Sequence, residues 1–186
     1  MVCQYGDGIA GYGLCSGMKG GQNMFCIGDK VAHPMHGAGV IADIVREKVA
    51  GAVQDYYVFR LSVGGLVLKI PTASSRAVGL RRVADQEEIL ALMSALPTLE
   101  TEMTANWNRR YRENLQRLKS GDLYEVARVI KGLACRDSQQ GLSTGERKML
   151  HTAKQILISE IVLALGREYE AVERCVNAAM SGEKVV

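Results

Sequence analysis

Between residues 24 and 83 apolar and polar positions alternate in short runs, and beyond residue 84 the apolar positions recur every three or four residues. In the first stretch Lys30–His33 is a short run that stops at Pro34, and Met35-His36-Gly37-Ala38-Gly39 is turn chemistry. Val40–Lys48 is rich in β-branched residues, and Gln54–Val63 sets Tyr57, Phe59 and Leu61 at period two. Gly64-Gly65 turns the chain into a last run in which Leu66, Leu68 and Ile70 share one face, with Val67 and Lys69 on the other. Short strands separated by glycine turns predict a small, strongly bent β-barrel of SH3 or Tudor type.

The helical stretch opens with Asp85–Leu96, closed by Pro97. A second helix runs from Thr104 or Asn106 to Lys119 and breaks at Ser120-Gly121. Asp122-Leu123-Tyr124-Glu125 is a capping pattern that opens a third, which presents Val126, Ile130 and Leu133 and ends before the polar run from Asp137. Ser143-Thr144-Gly145-Glu146 is a second capping box, ahead of a long helix that Gly166 ends. A last helix, Glu168–Met180, turns Tyr169, Val172, Val176 and Met180 inward. Short connections between these helices favour a bundle. The fold class is α+β: residues 24–83 a β-barrel domain, residues 84–186 an all-α bundle. Residues 1–23 hold seven glycines and no periodicity, and are expected to be a disordered leader.

Composition narrows the function classes. Apolar residues make up 47% and charged residues 23%, an ordinary globular balance, and no apolar run approaches the ~18 residues of a membrane span. No secretory signal pattern is present, so a cytoplasmic protein without a membrane partner is expected. Cys26, His33 and His36 are close in sequence, but no fourth ligand completes a zinc set, so no metal or cofactor is expected. Phosphate-loop, nucleophile-elbow and metalloprotease patterns are absent. The three histidines, His33, His36 and His151, have no convergent partners, so neither an enzyme nor a small-molecule substrate is expected.

Net charge is weak evidence for a nucleic-acid partner, and a charge-rich helix face is most often only solvated; the distribution of charge says more. The net charge of +3 comprises +4 over residues 24–83, −1 over residues 84–186 and zero over residues 1–23. Within the near-neutral second half, residues 106–119 carry five basic side chains against Glu113 alone, a directed electrostatic footprint. The sole tryptophan, Trp107, lies in it beside Arg109, Arg110, Tyr111 and Arg112. Arginines neutralise phosphates and an apolar wedge presses on a base step. The competing reading is a core stripe, because Tyr111, Leu115 and Leu118 follow Trp107 at helical spacing. On spacing alone the core reading has the advantage.

Specific words along the chain add to this. Phe25–Gly37 (FCIGDKVAHPMHG), Leu66–Pro71 (LVLKIP), Val78-Gly79-Leu80-Arg81 and Asn106-Trp107 with Arg109-Arg110-Tyr111 occur in order. Asn114-Leu115, Ser120-Gly121-Asp122 and Gly141-Leu142-Ser143 with Gly145-Glu146 and Met149-Leu150 follow. In these words the chain resembles the CarD/CdnL family of bacterial transcription regulators over residues 24–181. The amino-terminal module of that family is shared with the RNA polymerase-interacting domain of the transcription-repair coupling factor. The resemblance implies that the barrel docks on the RNA polymerase β subunit and the helical module lies on promoter DNA at the upstream edge of the bubble. It implies that Trp107 wedges into the minor groove while Arg109, Arg110, Arg147 and Lys148 face the phosphate backbone. It also places a basic polymerase contact at Lys69, and a second at Glu47, where Arg46 and Lys48 flank a position that is often arginine in the family. Such a regulator stabilises the open complex without reading base edges. The alternative is a protein-interaction adaptor on polymerase with no direct DNA wedge.

Overall fold

The computed structural model describes residues 25–49 and 51–180; the leader expected at residues 1–23 lies outside them. The described residues form strands β1 (Lys30–His33), β2 (Gly37–Val49), β3 (Ala52–Leu61), β4 (Val67–Pro71) and β5 (Arg81–Arg82), then helices α1 (Gln86–Ala95), α2 (Trp107–Lys119), α3 (Leu123–Gln140), α4 (Thr144–Leu165) and α5 (Tyr169–Met180). The strands make one antiparallel sheet in the order β4-β3-β2-β1-β5. A register shift between Ile41 and Asp43 bends β2, and the sheet curls around Phe25, Val31, Ile41, Tyr57, Phe59, Ile70 and Leu80. With helices following, the architecture is the expected α+β, a Tudor-like β module before an α-helical one.

Three local expectations change. Gly37-Ala38-Gly39 is the start of β2, not turn, and the turn is confined to Pro34–His36. The glycines are there for close approach: a Cβ on Gly39 would sit 2.1 Å from the Arg60 carbonyl oxygen, and one on Gly37 2.4 Å from Ser159 Oγ. β5 had no sequence signal, since a two-residue strand shows no alternation. At the start of α3, Asp122 caps Tyr124 N–H at 2.8 Å, while Glu125 turns to Arg128 and Arg117 instead of completing a capping box. That helix also runs on through Asp137 to Gln140 before Gly141, at φ +77°, ends it.

The long helix α4 is shared by both modules. Its apolar positions Ala153, Ile156, Leu157 and Ile161 pack with α1, α3 and α5 in the helical core, which Met35 of the β1–β2 turn also joins. On the sheet side Ser159 Oγ accepts the Ala38 N–H at 2.9 Å, and Lys30 Nζ donates to the Leu163 carbonyl at 2.9 Å. Glu160, fully buried, takes Arg81 of β5 in a bidentate pair and also accepts the Ala84 N–H at 3.0 Å. These bonds bolt the sheet to the last turns of α4. Among the described residues no single helix is long and apolar enough to cross a membrane, and α4 and α5, which pass such a test only as a bent pair, bury their apolar faces in the core.

Candidate nucleic-acid interface

Helix α2 begins at Trp107 because Asn106 caps it, its side chain accepting the Arg109 N–H at 3.0 Å. The face of α2 turned inward carries Arg110, Asn114 and Leu118, so the core stripe does not start at the tryptophan. Trp107 is 44% exposed, and Tyr111 and Leu115 only half-pack against the helical core. Of the stripe that spacing suggested, only Leu118 is fully buried; the inward face runs through Arg110, 1% exposed, and Asn114, one residue before Tyr111 and Leu115, which leaves Trp107 at its edge.

What holds Arg110 inside is Glu146, itself buried near the start of α4. Arg110 Nε donates to Glu146 Oε1 at 2.8 Å, with Nη2 2.7 Å from the same oxygen, and Nη1 donates to the Thr104 and Ala105 carbonyls, each at 2.8 Å. Burial pushes the Glu146 carboxyl up, but the Arg110 and Ser143 hydrogen bonds and the arginine charge outweigh it and hold it below the usual carboxylate range. Glu146 also completes the capping box foreseen at Ser143: Ser143 N–H donates to Oε2 at 3.1 Å, and Ser143 Oγ accepts the Glu146 N–H at 3.3 Å.

The indole rests on this cap. Trp107 Nε1 donates to Ser143 Oγ at 3.0 Å, and the ring stacks on Tyr111 with centroids 5.4 Å apart and planes 24° from parallel. A Cβ on Gly145 would lie 3.8 Å from the indole, so the ring lies over the first turn of α4. Two helix amino termini, those of α2 and α4, therefore meet beside one exposed aromatic ring, and both present their positive dipole ends there.

The basic residues divide into three kinds. Arg147 and Lys148, in the first turn of α4, are exposed and have no ion-pair partner among the described residues. Arg109 is exposed but held by Glu113 at 2.7 Å. The Glu113 carboxyl lies below its ordinary range through its hydrogen bonds from Thr104 and then Arg109. Arg110 corrects the expectation of a fourth backbone-facing cation: its guanidinium is inside and its charge is spent on Glu146. On the sheet, Lys69 of β4 pairs with Glu47 of β2, and Arg46 pairs with Asp55 at 2.8 and 3.2 Å, while Lys48 is exposed without an ion-pair partner among the described residues. The Arg46 hydrogen bond holds the Asp55 carboxyl down. Sequence reasoning missed that Ser143 and Glu146 build the indole's seat; the capping box marked only a helix start. No cluster of metal-ligating side chains occurs among the described residues, and the Cys26, His33, His36 grouping does not form one.

The CarD-like/TRCF RID domain model matches residues 25–84, and the model of the CarD carboxy-terminal domain matches residues 91–177. The chain is also similar to the Bacillus subtilis (strain 168) protein named "Putative transcription factor YdeB", with 34% identity over 143 residues covering 77% of this chain and 94% of that protein. Together the matches define a transcription regulator in which a CarD-like/TRCF RID module is joined to a helical CarD carboxy-terminal one. The chain belongs to the CarD family.

Proposed function

We propose that the protein docks through its β module on the β subunit of RNA polymerase and stabilises the promoter open complex by wedging Trp107 at the upstream edge of the bubble. The observation that carries this reading is the exposed indole seated on a polar cap, at the meeting of two helix amino termini and beside uncompensated cations. A ring that belonged to the core would be buried. Arg109, Arg147 and Lys148 meet the phosphate backbone, whose charge the two helix dipoles also favour. With its N–H engaged by Ser143, the ring offers its carbon face and edge, which suits apolar insertion at a minor-groove base step and not base-edge readout. Lys69, Lys48 and Arg46 are the candidate polymerase contacts; Lys69 shares a sheet face with its partner Glu47, and Arg46 and Lys48, which alternate with Glu47 along β2, leave from the other face. Because Lys69 and Arg46 already pair with Glu47 and Asp55, docking exchanges internal ion pairs for external ones and depends on shape as much as charge.

The mechanism is a population shift. Free DNA is bound weakly because few phosphates are contacted, and anchoring on polymerase raises the wedge's effective concentration at the promoter. The bolted joint at Glu160 and Ser159 lets the anchored sheet fix where the wedge lies. Preference for the open over the closed complex by ~1.4 kcal/mol shifts their ratio tenfold. The test is the decay of open complexes on one strong and one weak promoter, with the parent protein and with Trp107→Ala. The parent is expected to lengthen the lifetime, most at the weak promoter, and the variant to lose the effect while still binding polymerase. An unchanged effect with Trp107→Ala favours an adaptor without a wedge.

A further inference from the structure

We propose that Ser143, Glu146 and Arg110 are positioning residues that lock the indole in its docking orientation before DNA arrives. The proposal rests on the wedge reading above and assigns roles to three side chains that touch no nucleic acid in it.

Trp107 occupies the first position of its helix and is nearly half exposed, so packing alone does not select one rotamer for it. Tyr111 stacks on one face, but stacking fixes the plane and leaves the ring free to slide. The remaining restraint is the hydrogen bond from Trp107 Nε1 to Ser143 Oγ.

That hydroxyl is itself held rigidly. Its own proton goes to Glu146 Oε2 at 2.8 Å, and its acceptor capacity is divided between the Glu146 N–H and the indole N–H. A serine oxygen has one donor and two acceptor sites, so Ser143 is saturated and its lone-pair direction is set. Glu146 is fixed in turn through its other oxygen by the arginine fork. The last nitrogen of that fork grips the Thr104 and Ala105 carbonyls, the two residues just before the cap of α2. One buried guanidinium therefore ties the chain that leads into Trp107 to the carboxylate that orients the seat of its ring. Lysine cannot do this, because a single ammonium lacks the planar fork that addresses both partners at once.

A buried ion pair is weak evidence for stability, since apolar residues of equal volume often do as well. The geometric closure is the stronger reason for an arginine here: the relay begins at the peptide preceding the indole and ends on the indole itself. Its benefit is preorganisation, because a side chain already fixed loses less freedom on binding. For one aromatic side chain that corresponds to about a two- to tenfold gain in affinity for the open complex.

The test uses the full chain and its only tryptophan as the probe. Ser143→Gly removes the hydroxyl while keeping a residue that caps helices nearly as well, and Ser143→Thr restores a hydroxyl. In the protein without DNA, Ser143→Gly is expected to raise iodide quenching of Trp107 and add a fast phase to its fluorescence anisotropy decay, with far-UV circular dichroism unchanged. In the polymerase assay the same variant is expected to shorten open-complex lifetime two- to tenfold, less than Trp107→Ala does, and Ser143→Thr to recover both readouts. An anisotropy decay in Ser143→Gly identical to the parent's overturns the proposal. A loosened ring with undiminished lifetime overturns it as well, provided Trp107→Ala shortens the lifetime. If Trp107→Ala has no effect, the wedge reading fails instead, and the fluorescence readout still judges the relay.

Discussion

Glu160→Ala tests the joint on which the transfer of position from sheet to wedge depends. The carboxylate is fully buried and accepts from both Nη atoms of Arg81 and from the Ala84 N–H. Three charge-assisted bonds at ~1.5–3 kcal/mol each sum to more than any single substitution delivers, because the groups left behind recover part of the loss from water. Arg81 is 34% exposed, so its stranded charge rehydrates. Removing one partner of a buried pair costs ~3–5 kcal/mol, and the exposure of Arg81 places this case near ~3 kcal/mol, mostly the orphaned Ala84 N–H and the space left in the joint. At about 2–4 °C per kcal/mol for a chain of this size, the melting temperature falls by about 6–12 °C. Thermal unfolding followed by two probes is the assay. Far-UV circular dichroism sees both modules, whereas Trp107 fluorescence sees the helical one. The two traces are expected to superimpose for the parent and separate in Glu160→Ala, as the modules lose their coupling. Arg81→Met with Glu160→Met should be milder than the sum of the single changes, since no charge is then stranded. A melting temperature within 2 °C or so of the parent, with coincident traces, refutes the joint as argued.

Other predictions follow from the same geometry. Lys69→Glu places a second carboxylate beside Glu47 and is expected to weaken capture of the polymerase β subunit with little change in melting temperature; undiminished capture moves the docking face elsewhere. Arg147→Ala with Lys148→Ala removes two uncompensated cations, so the salt dependence of DNA-stabilised binding should flatten by about 0.9 per lost phosphate contact, and an unaltered slope excludes both from the backbone contact. His33 is held neutral: burial, then the neighbouring His36 charge, lowers it from 6.5 to about 4, and its Nδ1 accepts the Met35 N–H. Between those values the unfolded chain takes up a proton that the native state refuses, so stability falls as pH drops from about 6.5 toward 4 and is level above that window. Urea midpoints at pH 7.5 and pH 5 check this, and His33→Asn should lose that part of the slope.

Periodicity alone determined the large divisions of this molecule. Alternation ahead of residue 84 and the 3.6 repeat after it are local consequences of how side chains leave a strand or a helix, so the β-then-α order was legible. So were most helix ends, because caps such as Ser143 with Glu146 act within four residues. Local pattern misled where a residue served a distant surface. Gly37 and Gly39 looked like turn residues, yet they keep a strand thin against Ser159 and Arg60. The site was half readable: a lone tryptophan among arginines marked the place, and the family words gave it a role. Which of those residues faces out was decided only by tertiary structure. Helical spacing cannot distinguish an arginine that is solvated from one that buries its charge, and the deciding partner, Glu146, lies 36 residues away on another helix. Pairing of that kind, like the grip of Glu160 on Arg81 across 79 residues, comes from the fold's closing of two charges into a place without water. Sequence determines which charges exist and on what local element; only packing determines which of them are spent inside and which are left to meet a partner.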